Sequence, residues 1–338
     1  MLDKNRSLIA KAAAAVLWLA SIIYAFIIFK QKALYRSNIF KTHSVGAKVI
    51  SVGNLTLGGT GKTPFTIMLA KLLKNAMNRN PAVLIRGYGL DEQAMLLDAL
   101  RPDNIPLFVG RNRLKSAHMA IASKKADTIL LDDGFQRWSL SRDLDIVLID
   151  TRNPFGGNQL FPRGILREPV SSIERADVVV LTKTDKSLVD RAEVMSRIRA
   201  FKEDIVFVEA EHRPSGLWEI RTGIHLNLEM LKGRGVHLAS SIGDPDYFEE
   251  TVKGLGARVL KHKRFSDHHN YSEGDARGMV KDIRLDEWFI TTEKDAVKLE
   301  RLDSIIHAGA VLAALHVDMT ITKGGEAFIA RLNSLYNS

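Results

Sequence analysis

Residues 48–73 read KVISV, then GNLTLGGTGKTP, then FTIMLAKLL. An apolar run of strand length, a glycine-rich turn and an apolar pattern at helical spacing make a strand–loop–helix unit. In such a loop glycines let backbone N–H groups approach a β-phosphate. A lysine sets a point charge toward the β and γ oxygens, and a hydroxyl can bind Mg2+. The strict phosphate-loop pattern asks for glycine at position 56, where this chain has Thr56. Gly58, Gly59, Gly61, Lys62 and Thr63 nonetheless follow the strand in the right order, and Pro64 falls where a helix start needs no N–H. Thr56, Leu57, Gly58, Gly59, Thr60, Gly61, Lys62 and Thr63 are therefore read as a nucleotide-binding loop, against the alternative of an accidental glycine-rich turn.

A second buried strand, TILLDD (Thr128 to Asp133), ends in two acids. Beside a phosphate loop, Asp132 and Asp133 become the partners of Thr63 for Mg2+ or its water. DIVLID (Asp145 to Asp150) and DVVVLTKTD (Asp177 to Asp185) follow, interleaved with turns and helical stretches. That alternation predicts an α/β fold of P-loop NTPase type, with a mostly parallel sheet covered on both faces. Thr182-Lys183-Thr184-Asp185 also matches the base-reading loop of GTPases, so a P-loop GTPase or metallochaperone is a rival reading.

From Ala12 to Phe29 the chain is free of charge over 18 residues. As a helix these extend about 27 Å, against a hydrocarbon core of about 30 Å. A membrane helix is expected, with a buried helix, an interfacial helix and a cleaved leader as alternatives. No small-x-small cleavage site follows. Lys4, Arg6 and Lys11 precede the apolar segment; Lys30, Lys32, Arg36, Lys41 and Lys48 follow it. Basic residues there suit an anionic membrane surface and place the downstream chain in the cytoplasm. The net charge of +9 over 338 residues fits such a surface or a phosphorylated substrate. No nucleic-acid motif accompanies it, and no obligate protein partner is evident. With no cysteine, disulfides, thiolate metal sites and cysteine nucleophiles are excluded.

Taken together, SVGNLTLGGTGKTP, IRGYG, LDDGFQ, RDLDIVLID, FPRGILREP, SIGDPDYF, FSDHHNYS and TTEKDAVKL, in that order, resemble the tetraacyldisaccharide 4'-kinase family. The resemblance implies an ATP- and Mg2+-dependent kinase that phosphorylates the 4'-hydroxyl of tetraacyldisaccharide 1-phosphate to give lipid IVA, at the cytoplasmic face of a bacterial inner membrane. It also implies a larger P-loop domain and a smaller C-terminal α/β domain with the site between them. The expected division is an anchoring helix over 1–36, a kinase domain over 37–212 and a second domain over 213–338. Asp91 and His268 match the family's catalytic dyad and Glu92 an Mg2+ ligand. Arg167 and Glu168 of LREP, with Arg86 and Tyr88 of RGY, match substrate or phosphate contacts.

The chain departs from that pattern in places. Gly89 and Leu90 run straight into Asp91 where relatives have a longer segment, Gln93 replaces a usual proline, and Arg137 stands where histidine is frequent. From residues alone, Asp91 and Glu92 also read as ordinary helix N-terminal acids, and His268 as a solvated loop histidine beside His269 and His262. Thr291 to Asp295 read equally as a structural turn or a phosphate contact. A membrane-tethered nucleotide-binding adaptor without catalysis is the third reading.

Overall fold

The computed structural model describes residues 8–337 apart from Tyr88, so the contact expected of Tyr88, and the flanking Lys4 and Arg6, lie outside the described residues. The chain opens with helix α1 (Leu8–Arg36). There follow β1 (Lys48–Asn54), α2 (Lys62–Lys71), β2 (Pro81–Ile85), α3 (Leu90–Leu100), β3 (Leu107–Val109), α4 (Arg113–Lys124), β4 (Thr128–Asp132), β5 (Leu144–Asp150), β6 (Val178–Thr182), α5 (Arg191–Arg199) and the long β7 (Val206–Glu219). The remainder holds β8 (His225–Leu226), β9 (Gly235–Ser240), α6 (Pro245–Gly254), β10 (Arg258–Arg264), α7 (Glu273–Val280), β11 (Trp288–Thr292), α8 (Glu293–Leu299), α9 (Asp303–Ile306), the long β12 (Val311–Lys323) and α10 (Gly325–Ser334).

The strands form one sheet in the order β10-β9-β11-β12-β7-β6-β5-β1-β4-β2-β3, with β8 pairing on β7. From β3 to β7 all pairs are parallel, and so are those from β12 to β10. Between these halves β7 and β12 run antiparallel, from Glu219 opposite Ala313 to Glu209 opposite Lys323. The first part of β7 pairs with β6 and its last part with β8. The two halves are thus joined end to end by a two-strand ribbon and point their strand C-termini at one another. Ligands of open α/β sheets bind outside those carboxyl ends, so this topology places a single cleft between both sets.

The parallel strands are buried runs of Val, Ile and Leu, as a sheet covered on both faces requires. On one face α2 and α10 bring Phe65, Leu69, Phe328 and Leu332 over Val52, Ile146 and Val180; on the other, Phe135, Ile173 and Ile198 cover Val147 and Val179. The expected boundary at residue 212 falls within β7. The tail does not stay with the second half: β12 carries it back, and Met319, Phe328, Leu332 and Leu335 join the core of the first.

Helix α1 is longer than its charge-free segment. Its Ala13–Arg36 stretch is long and apolar enough to cross a membrane, and none of the window is buried against the rest of the chain. Those 24 residues extend about 36 Å. Contacts with the body lie in the helix's second half: Tyr24 donates to the Arg167 carbonyl at 3.1 Å, Lys32 and Arg36 reach Glu174, and Tyr35 stacks on Trp138. Lys32 and Arg36 are therefore already opposed by an acid, as Lys48 is by Asp143 at 3.8 Å.

Candidate active site

The phosphate loop leaves β1 through Asn54, whose amide donates to the Thr60 hydroxyl at 2.9 Å. Leu57 N–H bonds the Ile165 carbonyl and Thr182 Oγ1, at the end of β6, donates to the Thr60 carbonyl, so neighbouring segments hold both limbs of the turn. Gly58 and Gly61 take φ of +106° and +86°, backbone that glycine alone adopts without cost. Lys62 opens α2 with its Nζ 3.7 Å from Asp133, while the Thr63 and Thr66 hydroxyls both donate to Asp132, at 3.1 and 3.2 Å. Arg167 completes this wall, donating to Asp133 at 2.7 Å and to Gln136 at 3.3 Å.

Burial, then the neighbouring Asp133, pushes the Asp132 carboxyl above its usual range despite Lys62. Asp133 feels burial too, but Lys62 and Arg167 outweigh it and hold that carboxyl low. Among the described residues no three acids or imidazoles converge as a self-sufficient metal site. The Thr63 hydroxyl and the Asp132 and Asp133 carboxylates are an oxygen-only set beside a phosphate loop, with Glu92 a further acid on the same side of the cleft. That fits Mg2+, which takes one or two protein carboxylates and completes its octahedron with phosphate and water.

The acidic pair opens α3. Asp91 is only 4% exposed; its Oδ1 accepts the Glu92 N–H, while Oδ2 makes no hydrogen bond. Three groups of the second half face it. His268, in left-handed backbone at φ 60°, puts Nδ1 3.5 Å from Asp91 Oδ2 and Nε2 3.7 Å from Glu92; Lys298 lies 3.4 Å from Asp91, and Lys294 4.0 Å from Glu92. Burial tends to raise the Asp91 carboxyl, but Lys294, Lys298, the Glu92 N–H and His268 together hold it below the ordinary carboxylate range. Glu92 goes the other way, raised by burial with Asp132 and Asp91 adding to it.

The shortened segment before α3 thus still delivers Asp91 and Glu92 to the cleft. Glu168 stands apart: it is buried, and both its oxygens are taken by Arg175, at 2.8 and 3.0 Å, whose guanidinium covers the Phe135 ring. Arg86 and Arg137 add positive charge around the buried Arg113, which itself bonds the Gly110 and Asp132 carbonyls. Thr291 to Asp295 form a helix start: Thr292 caps α8, and the fully buried Asp295 accepts from the Ser241 N–H and the Thr292 hydroxyl.

Sequence reasoning missed a set of contacts between the halves. Lys183 of the GTPase-like tetrapeptide is buried between Asp150 and Asp244, and Asp185 accepts the Tyr247 hydroxyl at 3.0 Å. The groups that would read guanine are engaged with α6. Arg152 bonds Glu250 through both terminal nitrogens, and a Cβ on Gly243 would collide with the Gly59 amide, so the second half rests directly on the phosphate loop. Beside these, a cavity of about 260 Å3 is lined by the loop, by Leu57, Ile165 and Leu188, and by Arg152 and Asn153.

Relatives match the chain along most of its length. A protein of Elusimicrobium minutum described as tetraacyldisaccharide 4'-kinase is 36% identical over 329 residues, covering 90% of this chain and 87% of its own. One of Arabidopsis thaliana described as a probable mitochondrial tetraacyldisaccharide 4'-kinase is 33% identical, covering 82% and 79%. The crystal structure of the "apo" form of LpxK from Aquifex aeolicus in complex with ATP superposes with a TM-score of 0.72 at 26% identity, over 96% of this chain and 99% of that one. A sequence model of the tetraacyldisaccharide-1-P 4'-kinase family matches residues 13–336. The chain belongs to the tetraacyldisaccharide-1-P 4'-kinase family.

Proposed function

We propose that the chain transfers the γ-phosphoryl group of ATP to the 4'-hydroxyl of tetraacyldisaccharide 1-phosphate, forming lipid IVA. The observation that carries this reading is the pairing of Asp91 with His268 across the cleft, beside the Lys62 loop. The relatives' names supply the acceptor, and the ATP held by the Aquifex protein supplies the donor.

Phosphoryl transfer asks a protein for positioning and charge neutralisation more than for covalent chemistry. Backbone N–H groups of residues 58–63 cradle the phosphates, and Lys62 and Arg167 meet the β and γ oxygens. Thr63, Asp132, Asp133 and Glu92 would hold Mg2+, which would supply positive charge against the triphosphate. Oδ2 of Asp91, buried and without a hydrogen bond of its own, accepts the hydrogen of the 4'-hydroxyl, and His268 steers that hydroxyl from the second half. The new bond forms from the 4'-oxygen to Pγ as the bond from Pγ to the β-bridging oxygen breaks, ADP takes the electron pair, and the hydroxyl proton passes to Asp91. A carboxyl held low is a weak base but is fully ionised at neutral pH. It therefore orients the hydroxyl throughout and takes the proton only as the transition state makes it acidic.

The cavity beside the loop takes the nucleoside, its base against Leu57, Ile165 and Leu188. With Asp185 committed to Tyr247, adenine is preferred over guanine. The test is transfer of labelled γ-phosphate from ATP or GTP to the lipid in detergent micelles: ATP labels it and GTP does so poorly. Hydrolysis of GTP with no labelled lipid would sink the reading.

Helix α1 is the proposed anchor in a bacterial inner membrane, with the catalytic halves on the cytoplasmic face. Tyr24 ties it to the backbone at Arg167, so bilayer and phosphate site keep a fixed distance. Ile23 and Phe26 are 56% and 64% exposed. Changing both to lysine puts about 5 kcal/mol or more of charge cost into a bilayer. The double variant is expected to lose cosedimentation with anionic vesicles while still phosphorylating lipid in micelles. Undiminished cosedimentation would exclude α1 as the anchor.

A further inference from the structure

The TTEKDAVKL segment resolves into a cap, a buried anchor and two lysines, and only the lysines face the cleft. Lys294 and Lys298 are four residues apart on α8 and therefore share one face. Lys298 is fixed: its ammonium donates to Ser241 Oγ at 2.8 Å and to the His269 carbonyl at 3.1 Å, pairs with Asp295 at 3.1 Å, and lies 5.1 Å over the Tyr271 ring. Those contacts belong to its own half. What it presents to the other half is charge, 3.4 Å from Asp91 Oδ2, with no hydrogen bond consuming that oxygen. Lys294 bonds Asp267 at 2.9 Å and lies 3.4 Å from His268 Nε2, so it steadies the second member of the pair as well.

We infer that Lys298, seconded by Lys294, is a positioning residue of the transfer reaction: a cation built into the second half that keeps the Asp91 carboxylate beside the bound triphosphate. The inference rests on the reading of Asp91 given above. Its physical basis is repulsion. Asp91, Glu92, Asp132 and Asp133 crowd one side of the cleft, and a nucleotide triphosphate adds about four more negative charges there. Lys62 and Arg167 lie beside Asp133, on the nucleotide side, and neither is paired with Asp91. Without a counter-charge from across the cleft, a nearly buried carboxylate on a helix start turns away from the γ-phosphate. Lys298 supplies that charge only when the halves are together, so the acceptor side of the site is complete only in the closed arrangement. The ammonium pulls on Oδ2 without bonding it, so that oxygen keeps its hydrogen-bonding capacity, buried where the two halves meet.

The test compares Lys298→Gln, which keeps a donor for Ser241 and His269 but removes the charge, with Lys298→Arg, which keeps it. Both are made in the full chain, with melting temperature measured alongside lipid phosphorylation. Lys298→Gln is expected to lower kcat by about 10^2-fold, the cost of an ångström-scale misplacement, with KM for ATP within about twofold of wild type. Lys298→Arg is expected to recover most of the loss, and Lys294→Gln to show a smaller fall of the same kind. Wild-type kcat in Lys298→Gln overturns the inference. So does a loss expressed wholly in KM for ATP, or an arginine variant no better than glutamine. Asp91→Asn run in parallel separates the two readings: if it is fully active, the role of Asp91 fails; if it is inactive while Lys298→Gln is normal, only this inference does.

Discussion

Asp91→Asn lowers kcat by about 10^2- to 10^4-fold, the contribution of a positioned proton acceptor, and leaves the affinity for ATP close to wild type. The amide is nearly the shape of the carboxylate, so Oδ1 can still accept the Glu92 N–H. It loses the charge that Lys298 and His268 face, and with it the capacity to take a proton from the acceptor hydroxyl. The loop residues Gly58 to Thr63 make no contact through Asp91 in forming their cradle, which is why nucleotide binding is spared. Folding is spared too, since neutralising a carboxylate that is 4% exposed removes a desolvation cost along with an ion pair. Steady-state transfer of labelled phosphate, with KM for ATP measured separately, decides the matter. Full activity would leave Asp91 as an ordinary helix N-terminal acid.

Gly61→Ala is expected to destabilise the fold by about 2–5 kcal/mol and to abolish stabilisation by ATP. Part of the cost is conformational, because Gly61 caps α2 at φ 86°, ψ 20°, where a Cβ is strained. The rest is steric: a Cβ there would stand 2.8 Å from Met319 Cε and 2.9 Å from two atoms of the His212 ring. Methionine can give way, but the imidazole has little room. It lies edge-on to Tyr247 with centroids 5.6 Å apart, its Nδ1 is buried without a partner, and burial followed by the Lys183 charge pushes its pKa down to about 4. The strain therefore falls on the loop, whose amides lose their aim at the phosphates. A ligand at a hundred times its Kd stabilises a wild-type fold by about 2.7 kcal/mol. Thermal melts with and without ATP should show that shift in wild type and lose it in Gly61→Ala; a preserved shift would mean that the loop tolerates the substitution.

The contact that fixes Gly61 shows where sequence reading stops. His212 and Met319 are 107 positions apart in the chain, opposed only because β7 and β12 pair antiparallel. No local pattern announces that pairing: β7 carries Glu209, Glu211, His212 and Arg213 among its apolar residues, and its partner strand lies far along the chain. The same limit applies to the tetrapeptide at Thr182. It matches a base-reading loop in one dimension, and tertiary contact with α6 turns Lys183 and Asp185 into a latch between halves. Glu168 was matched to the cleft by its motif, whereas Arg175, seven residues later, takes both its oxygens. For Lys294 and Lys298 a signal did exist: four-residue spacing on a short helix after a strand end places both on one face. What that face would meet was not in the segment.

Everything set by short range was decided by the amino-acid sequence: the strand, turn and helix around Lys62, the parallel strands ending in acids, the long apolar α1 and the order of motifs that marks the family. Backbone sterics, hydrogen-bond geometry and side-chain periodicity act over a few residues, so a few residues suffice to read them. The tertiary structure alone decided that two parallel halves of one sheet meet head to head through an antiparallel pair of strands, that α10 returns to the first core, and that the acidic turn of α3 faces two lysines and a histidine of the other half. Those arrangements rest on burial and charge pairing between segments far apart in the chain. Their free energy exists only once the whole chain has closed on itself.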